Sequence, residues 1–126
     1  MKKIITTSKA PAPIGPYNQA VFSNNTLFIS GQVAFNVATQ SFETKNIKDE
    51  TKLVLENLKA ILLEANMTFE NVIKTSIFIK NMDDFANINT VYSAYFNPET
   101  APARETVEVA RLPKDVNVEI SMIAMK

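Results

Sequence analysis

The hydrophobic period of this chain changes near its middle, and that change constrains the fold more than any other feature. From about Asn46 to Ala65 the spacing is helical, with Ile47, Thr51, Val54, Leu58, Ile61, Leu62 and Ala65 on one face. Asp49 and Glu50 sit in the first turns, where acid suits the helix dipole, and Asn66 is placed to close the end. Val72 to Lys80 then form a β-branched run close behind the helix, the pattern of a strand–helix–strand crossover. A second helix is predicted from Asp83 or Asp84, a candidate N-cap, to Phe96, where Pro98 restrains Asn97 and stops it. Its apolar stripe is Phe85, Ile88, Tyr92, Tyr95 and Phe96.

The remaining segments read as strands and stiff loops. Lys3 to Thr7 is a short strand, and Ala10 to Tyr17, with three prolines and one glycine, is a rigid non-helical loop. Tyr17 to Phe22 and Thr26 to Val33 form a hairpin through Ser23-Asn24-Asn25, because asparagine tolerates left-handed turn geometry. Asn36 to Asn46 is a loop or a weak extra hairpin. Between Pro102 and Pro113 the period is two: Val107, Val109 and Arg111 point one way, Arg104, Thr106 and Glu108 the other. Proline belongs at strand starts and stops, which leaves Arg104 as the first side chain inside. In the last strand, Asn117 to Met125, Val118, Ile120, Met122 and Ala124 oppose Glu119, Ser121 and Ile123.

With no linker or low-complexity segment, residues 1–126 make a single α+β domain in which two helices cover one face of a sheet. Such a chain buries somewhat under about 70% of its unfolded surface and folds without staples. Ile123 and Met125 make the other face apolar enough to be buried against copies of itself, so a homo-oligomer is expected.

The chain has no cysteine and no histidine, which removes disulfides, Cys/His zinc sites, thiol nucleophiles and every histidine-based triad. Acid and base chemistry falls to carboxylates, tyrosine, lysine or water. Lys plus Arg equals Asp plus Glu, 13 of each, so the electrostatic footprint of a nucleic-acid binder is missing. No apolar run approaches signal-peptide length or the ~18 residues of a membrane span, and a cytoplasmic location is expected.

Four kinds of residue invite a choice between structure and chemistry. Arg104 is either a solvated strand-end residue or a placed cation for a ligand. Gly15 and Gly31 are the only glycines, each an ordinary turn residue or a site of positive φ or close backbone approach. Asn89 interrupts the apolar stripe of the second helix, bonded either to local backbone or to a functional partner. Glu119 is either an outward solvated glutamate or a carboxylate on a largely apolar surface.

Ile14-Gly15-Pro16-Tyr17, Ser30-Gly31-Gln32 and, most specifically, Pro102-Ala103-Arg104 running on through Val107 to Asp115 and Val118-Glu119-Ile120 closely resemble the reactive intermediate deaminase family, the YjgF/RidA group, over nearly the whole chain. The resemblance implies a chorismate-mutase-like α+β fold, a mixed sheet of about six strands with two helices on one face, and a homotrimer with three clefts between subunits. It also implies hydrolysis of 2-imino acids to 2-oxo acids and ammonia with no metal and no organic cofactor. Arg104 and Glu119 would be the catalytic pair, the guanidinium taking the substrate carboxylate in two parallel hydrogen bonds and the carboxylate holding water and relaying protons. Ser30, the backbone of Gly31 and Thr106, and the side chains of Tyr17 and Asn89 would complete the substrate site, with Tyr17 and Arg104 reaching it from different subunits. Two positions depart from the family: Thr106 stands where its best-known branch has cysteine, and Glu105 replaces a commoner small residue. Glu105 alternates away from Arg104 and is not expected to neutralise it. The alternative within the same fold is a non-catalytic sensor of small carboxylates or 2-oxo acids. A nucleic-acid role, also linked to the family, is unsupported by the balanced charge.

Overall fold

The computed structural model describes residues 1–126. Its longest element, α1 (Ile47–Glu64), begins where Asn46 accepts hydrogen bonds from the Lys48 and Asp49 amides. It ends in a Schellman arrangement, with Met67 N bonded to Leu62 O at 2.9 Å, Asn66 N to Leu63 O at 3.0 Å, and Asn66 at φ 57°. The face named from the sequence is buried from Thr51 to Ala65, with Ile47 half-buried at its start, and Leu55, Asn57 and Glu50 join it. The fully buried Glu50 carboxylate accepts both Asn117 N and Asn117 Nδ2 at 2.8 Å, which ties the first turn of the helix to the start of the last strand.

The strands are β1 (Lys3–Ile5), β2 (Ala20–Ser23), β3 (Thr26–Gln32), β4 (Phe35–Asn36), β5 (Ser41–Phe42), β6 (Val72–Ile79), β7 (Ala103–Glu108) and β8 (Val118–Met125). Six of them form a mixed sheet in the order β1-β2-β3-β8-β6-β7. Only β6 and β7 are parallel, joined by the crossover through α2 (Phe85–Ser93). Of the two readings left open for Asn36 to Asn46, a loop or a weak hairpin, the structure has the hairpin, β4 and β5, where Phe35 packs edge-on to Phe42. No helix is long and apolar enough to cross a membrane.

Several expected boundaries move. The first hairpin pairs Ser23 with Thr26, so its turn is Asn24-Asn25 alone, at φ 49° and 61°. The strand before it starts at Ala20 rather than Tyr17, because Gln19 is drawn into the preceding loop. The strand after Pro102 stops at Glu108, so Val109 and Arg111 lie beyond it; Arg111 turns back to Asp115 at 2.7 Å. The second helix ends at Ser93, where Ala94 N and Tyr95 N bond three residues back and tighten the last turn. Asp84 makes no cap; the chain enters α2 through a 3₁₀ turn whose Asp83 amide is held by Asn81.

Both helices cover one face of the sheet. Beneath them lie Leu27, Ile29, Thr75, Ile77, Ile79, Val118, Ile120, Met122 and Ala124, all buried. The opposite face is open and carries Phe28, Phe78, Val107, Ile123 and Met125 beside Lys74, Ser76, Glu105, Glu119 and Ser121.

Candidate active site

The edge strand β7 places Arg104. Arg104 pairs with Thr75 and Thr106 with Ile77, both buried under the helices, so the two β7 side chains lean to the helix side while Glu105 and Val107 turn to the open face. Helix α2 meets them there. Arg104 Nη1 donates to Asn89 Oδ1 at 2.7 Å, and the guanidinium carbon lies 4.8 Å from the Tyr92 ring centre and 5.8 Å from that of Phe85. Tyr92 is itself fixed, its hydroxyl donating to Thr75 Oγ1 at 3.1 Å, and burial holds its pKa above the usual tyrosine value. Asn89 is therefore partnered by the arginine and not by local backbone.

Arg104 has no carboxylate partner. The two ion pairs of the chain are Lys74–Glu105 at 2.8 Å and Arg111–Asp115 at 2.7 Å. Glu105 is engaged on the open face, by Lys74 and by a hydrogen bond from Ser76, and these two interactions keep its pKa below the ordinary glutamate value. The alternation read from the sequence thus keeps that acid away from the arginine.

The second group of residues lies on the open face. Glu119 pairs with Phe78 on one side and lies over Gly31 on the other. A Cβ built on Gly31 would come within 2.5 Å of Glu119 Oε2 and 2.8 Å of its Cδ, so here glycine serves close approach, at a bulge between Ile29 and Gln32. Its φ is not positive, and neither is that of Gly15, where a Cβ would meet only the Tyr17 ring at 3.4 Å. Gly15 is an ordinary turn residue. Burial raises the Glu119 pKa above the usual carboxylate range, and no cation is paired with it. Beside it, Ser30 donates through Oγ to Asn18 O at 2.6 Å and through N to Gln19 O at 2.9 Å.

Within one chain these groups do not converge. Arg104, Asn89 and Thr106 face the helix side at the sheet edge, whereas Ser30, Gly31 and Glu119 belong to the open-face end of β3 and β8. Tyr17, about half exposed on its loop, touches neither Arg104 nor Asn89 through a hydrogen bond.

Two features escaped the sequence reading. Gln19, 2% exposed, accepts from Thr7 N at 2.7 Å and donates to the carbonyls of Thr7, Ala10 and Pro11, clamping the loop that carries Tyr17. Its position just after a proline-rich segment was the available signal, since a buried amide is what such a loop needs to satisfy its carbonyls. The second is Thr106 Oγ1, the one buried side-chain oxygen or nitrogen of the chain with no hydrogen-bond partner.

The chain is thus a small mixed-sheet α+β domain with an arginine free of carboxylates on its edge strand and a half-buried glutamate packed over a glycine. Comparison with known proteins narrows this. The sequence profile described as Endoribonuclease L-PSP matches residues 7–126, so the chain belongs to that family, which comprises the YjgF, RidA and RutC proteins. A RutC family protein of Synechocystis sp. is 52% identical over 124 residues, spanning 98% of this chain and 95% of that one. A protein of Dermatophagoides farinae named 2-iminobutanoate/2-iminopropanoate deaminase is 44% identical over 98% of this chain and 96% of its own. Among solved structures, E. coli TdcF with bound serine superposes with a TM-score of 0.92 at 43% identity, covering 98% of both chains.

Proposed function

We propose that this protein hydrolyses small 2-imino acids to 2-oxo acids and ammonia, at clefts formed where two copies of the chain meet. The observation that carries the proposal is the state of Arg104: half-buried, fixed through one nitrogen by Asn89 and seated on aromatic rings, yet free of any carboxylate. A guanidinium so prepared matches a planar carboxylate ligand in two parallel hydrogen bonds. The relative named as a 2-iminobutanoate/2-iminopropanoate deaminase and the serine bound by TdcF support the substrate class, small 2-amino-acid-like molecules with one carboxylate.

Glu119 supplies the proton chemistry. A protonated imine is already electrophilic, so the reaction needs a placed water and a carboxylate whose pKa lies nearer working pH than that of a free glutamate. Glu119 takes a proton from the attacking water as the C–O bond forms, giving a carbinolamine. It returns that proton to nitrogen, accepts the carbinol O–H proton as the C–N bond breaks and ammonia departs, and passes it to the ammonia, so that 2-oxo acid and ammonium leave and Glu119 ends ionised.

Arg104 and Glu119 lie on opposite sides of the sheet in one chain, so the proposal takes Arg104, Asn89 and Thr106 from one protomer and Gly31, Ser30, Glu119 and Tyr17 from its neighbour. Support comes from the open apolar face with Phe28, Phe78, Val107, Ile123 and Met125, and from the unpaired outer edge of β7. A head-to-tail contact of this kind closes into a ring, and three copies give three clefts.

The test is the release of ammonia and 2-oxobutanoate from freshly generated 2-iminobutanoate. Arg104→Ala is expected to lower kcat/KM about 100-fold, through loss of a bidentate charged pair, and Arg104→Lys to restore little. Wild-type protein that gives no acceleration over buffer defeats the proposal. If that protein still binds 2-oxobutanoate through Arg104, and Glu119→Ala binds equally well, the sensor reading replaces it.

A further inference from the structure

On the helix side, beyond the end of α2, an open recess of about 170 Å³ is walled by Phe69, Tyr95 and Phe96 and rimmed by Glu70, Thr68 and Thr100. None of the residues proposed for imine hydrolysis lines it. We propose that this recess is a second ligand site, for a small organic ammonium carrying one ring, and that its occupation is felt at Arg104.

The walls are built, not incidental. Phe69 meets Tyr95 and Phe96 edge to face, each at 5.2 Å, and Tyr95 is held by the hydrogen bond its hydroxyl donates to Glu56 at 2.7 Å. All three rings are half-buried, packed against the core behind and open in front. The volume suits one six-membered ring, since an apolar cavity of about 150 Å³ takes up benzene. Charge decides the rest of the ligand. The one acidic side chain lining the recess is the Glu70 carboxylate, no lysine or arginine lines it, and three aromatic walls favour a cation over an anion or a neutral molecule.

A path to Arg104 runs through stacked rings. Phe96 lies 4.6 Å from Tyr92 at an interplanar angle of 31°, and Tyr92 is the platform under the Arg104 guanidinium at 4.8 Å. A ring entering beside Phe96 presses on a stack whose far end is the proposed carboxylate anchor. The recess lies on the helix layer, away from the open sheet face.

The experiment is an NMR titration of the full chain with 2-phenylethylammonium, and in parallel with 2-phenylethanol, its neutral counterpart. For a probe of about nine heavy atoms, saturable binding in the millimolar range is expected. The ammonium should bind about three- to tenfold tighter than the alcohol, shifting the amides of Phe69, Phe96 and Thr100 and the Arg104 Nε–H resonance. Glu70→Gln should reduce the preference to the part the aromatic walls supply and leave the affinity for the alcohol unchanged. No saturable binding, equal binding of the two probes, or a preference undiminished by Glu70→Gln overturns the proposal. Since the readout is binding alone, it stands or falls independently of imine hydrolysis.

Discussion

Gly31→Ala separates the fold from the chemistry. The new methyl group would sit 2.5 Å from Glu119 Oε2 and 2.8 Å from Cδ, about 0.9 Å inside ordinary contact for the oxygen. Something must move, and the glutamate's free end moves most cheaply. The stability terms oppose one another. Alanine at a non-positive φ gains about 0.4–1 kcal/mol by restricting the unfolded chain, and an expelled carboxylate recovers hydration, while repacking costs about 1 kcal/mol or slightly more. Unfolding in urea should therefore shift by no more than about 1 kcal/mol in either direction. Catalysis has no such compensation. On the proposed mechanism, a displacement near 1 Å of the carboxylate assigned to hold the water is worth about 10- to 100-fold in kcat. With Glu119 moved into water, the acidic limb of the pH–rate profile should also shift to lower pH. Ammonia release with 2-iminobutanoate and a urea melt on the same preparation give both numbers. A variant that keeps kcat within twofold, or loses stability and activity in proportion, refutes the reasoning.

Three further outcomes follow from particular contacts. Thr106→Val exchanges an unpartnered buried hydroxyl for a methyl group of the same shape and should raise stability by roughly 1 kcal/mol in a thermal or urea melt. Gln19→Met leaves the Thr7 amide and three carbonyls without their partner and should cost about 3 kcal/mol in the same assay, with amide exchange accelerating first in the loop from Ala10 to Tyr17. Glu119 has a folded pKa above its ordinary value, so its contribution favours the fold below about pH 4.5 and is lost as pH rises through the raised value. Glu119→Gln should accordingly be more stable than wild type at pH 7 and converge with it near pH 4, as read from urea melts at both pH values.

The helices and sheet faces were largely legible because one face of each element is buried and the other is not, which writes a period into the sequence. Asn46 and Asn66 were readable as termini for the same local reason, since their side chains or backbone angles answer orphan groups of α1. Less legible was anything set by a distant partner. The end of α2 depends on how Phe96 and Tyr95 pack on Phe69, a residue more than twenty positions earlier, and Gln19 depends on carbonyls eight to twelve residues before it. In the candidate site, Arg104 and Glu105 were separable by alternation alone, and glycine in a strand did mark close approach at Gly31. That Arg104 and Glu119 occupy opposite sides of the sheet was not visible, because it requires knowing that β6 lies between β7 and β8.

The division of the proposed site across the sheet has a consequence for inheritance. If each cleft needs the arginine of one protomer and the glutamate of the next, a chain lacking Arg104 and a chain lacking Glu119 are each inert alone, yet together they are not. Random assembly of equal amounts into closed rings restores both groups at about a quarter of the clefts. Two defective alleles in one cell would thus complement each other, and diluting the protein until its rings part would silence every site while each chain stays folded.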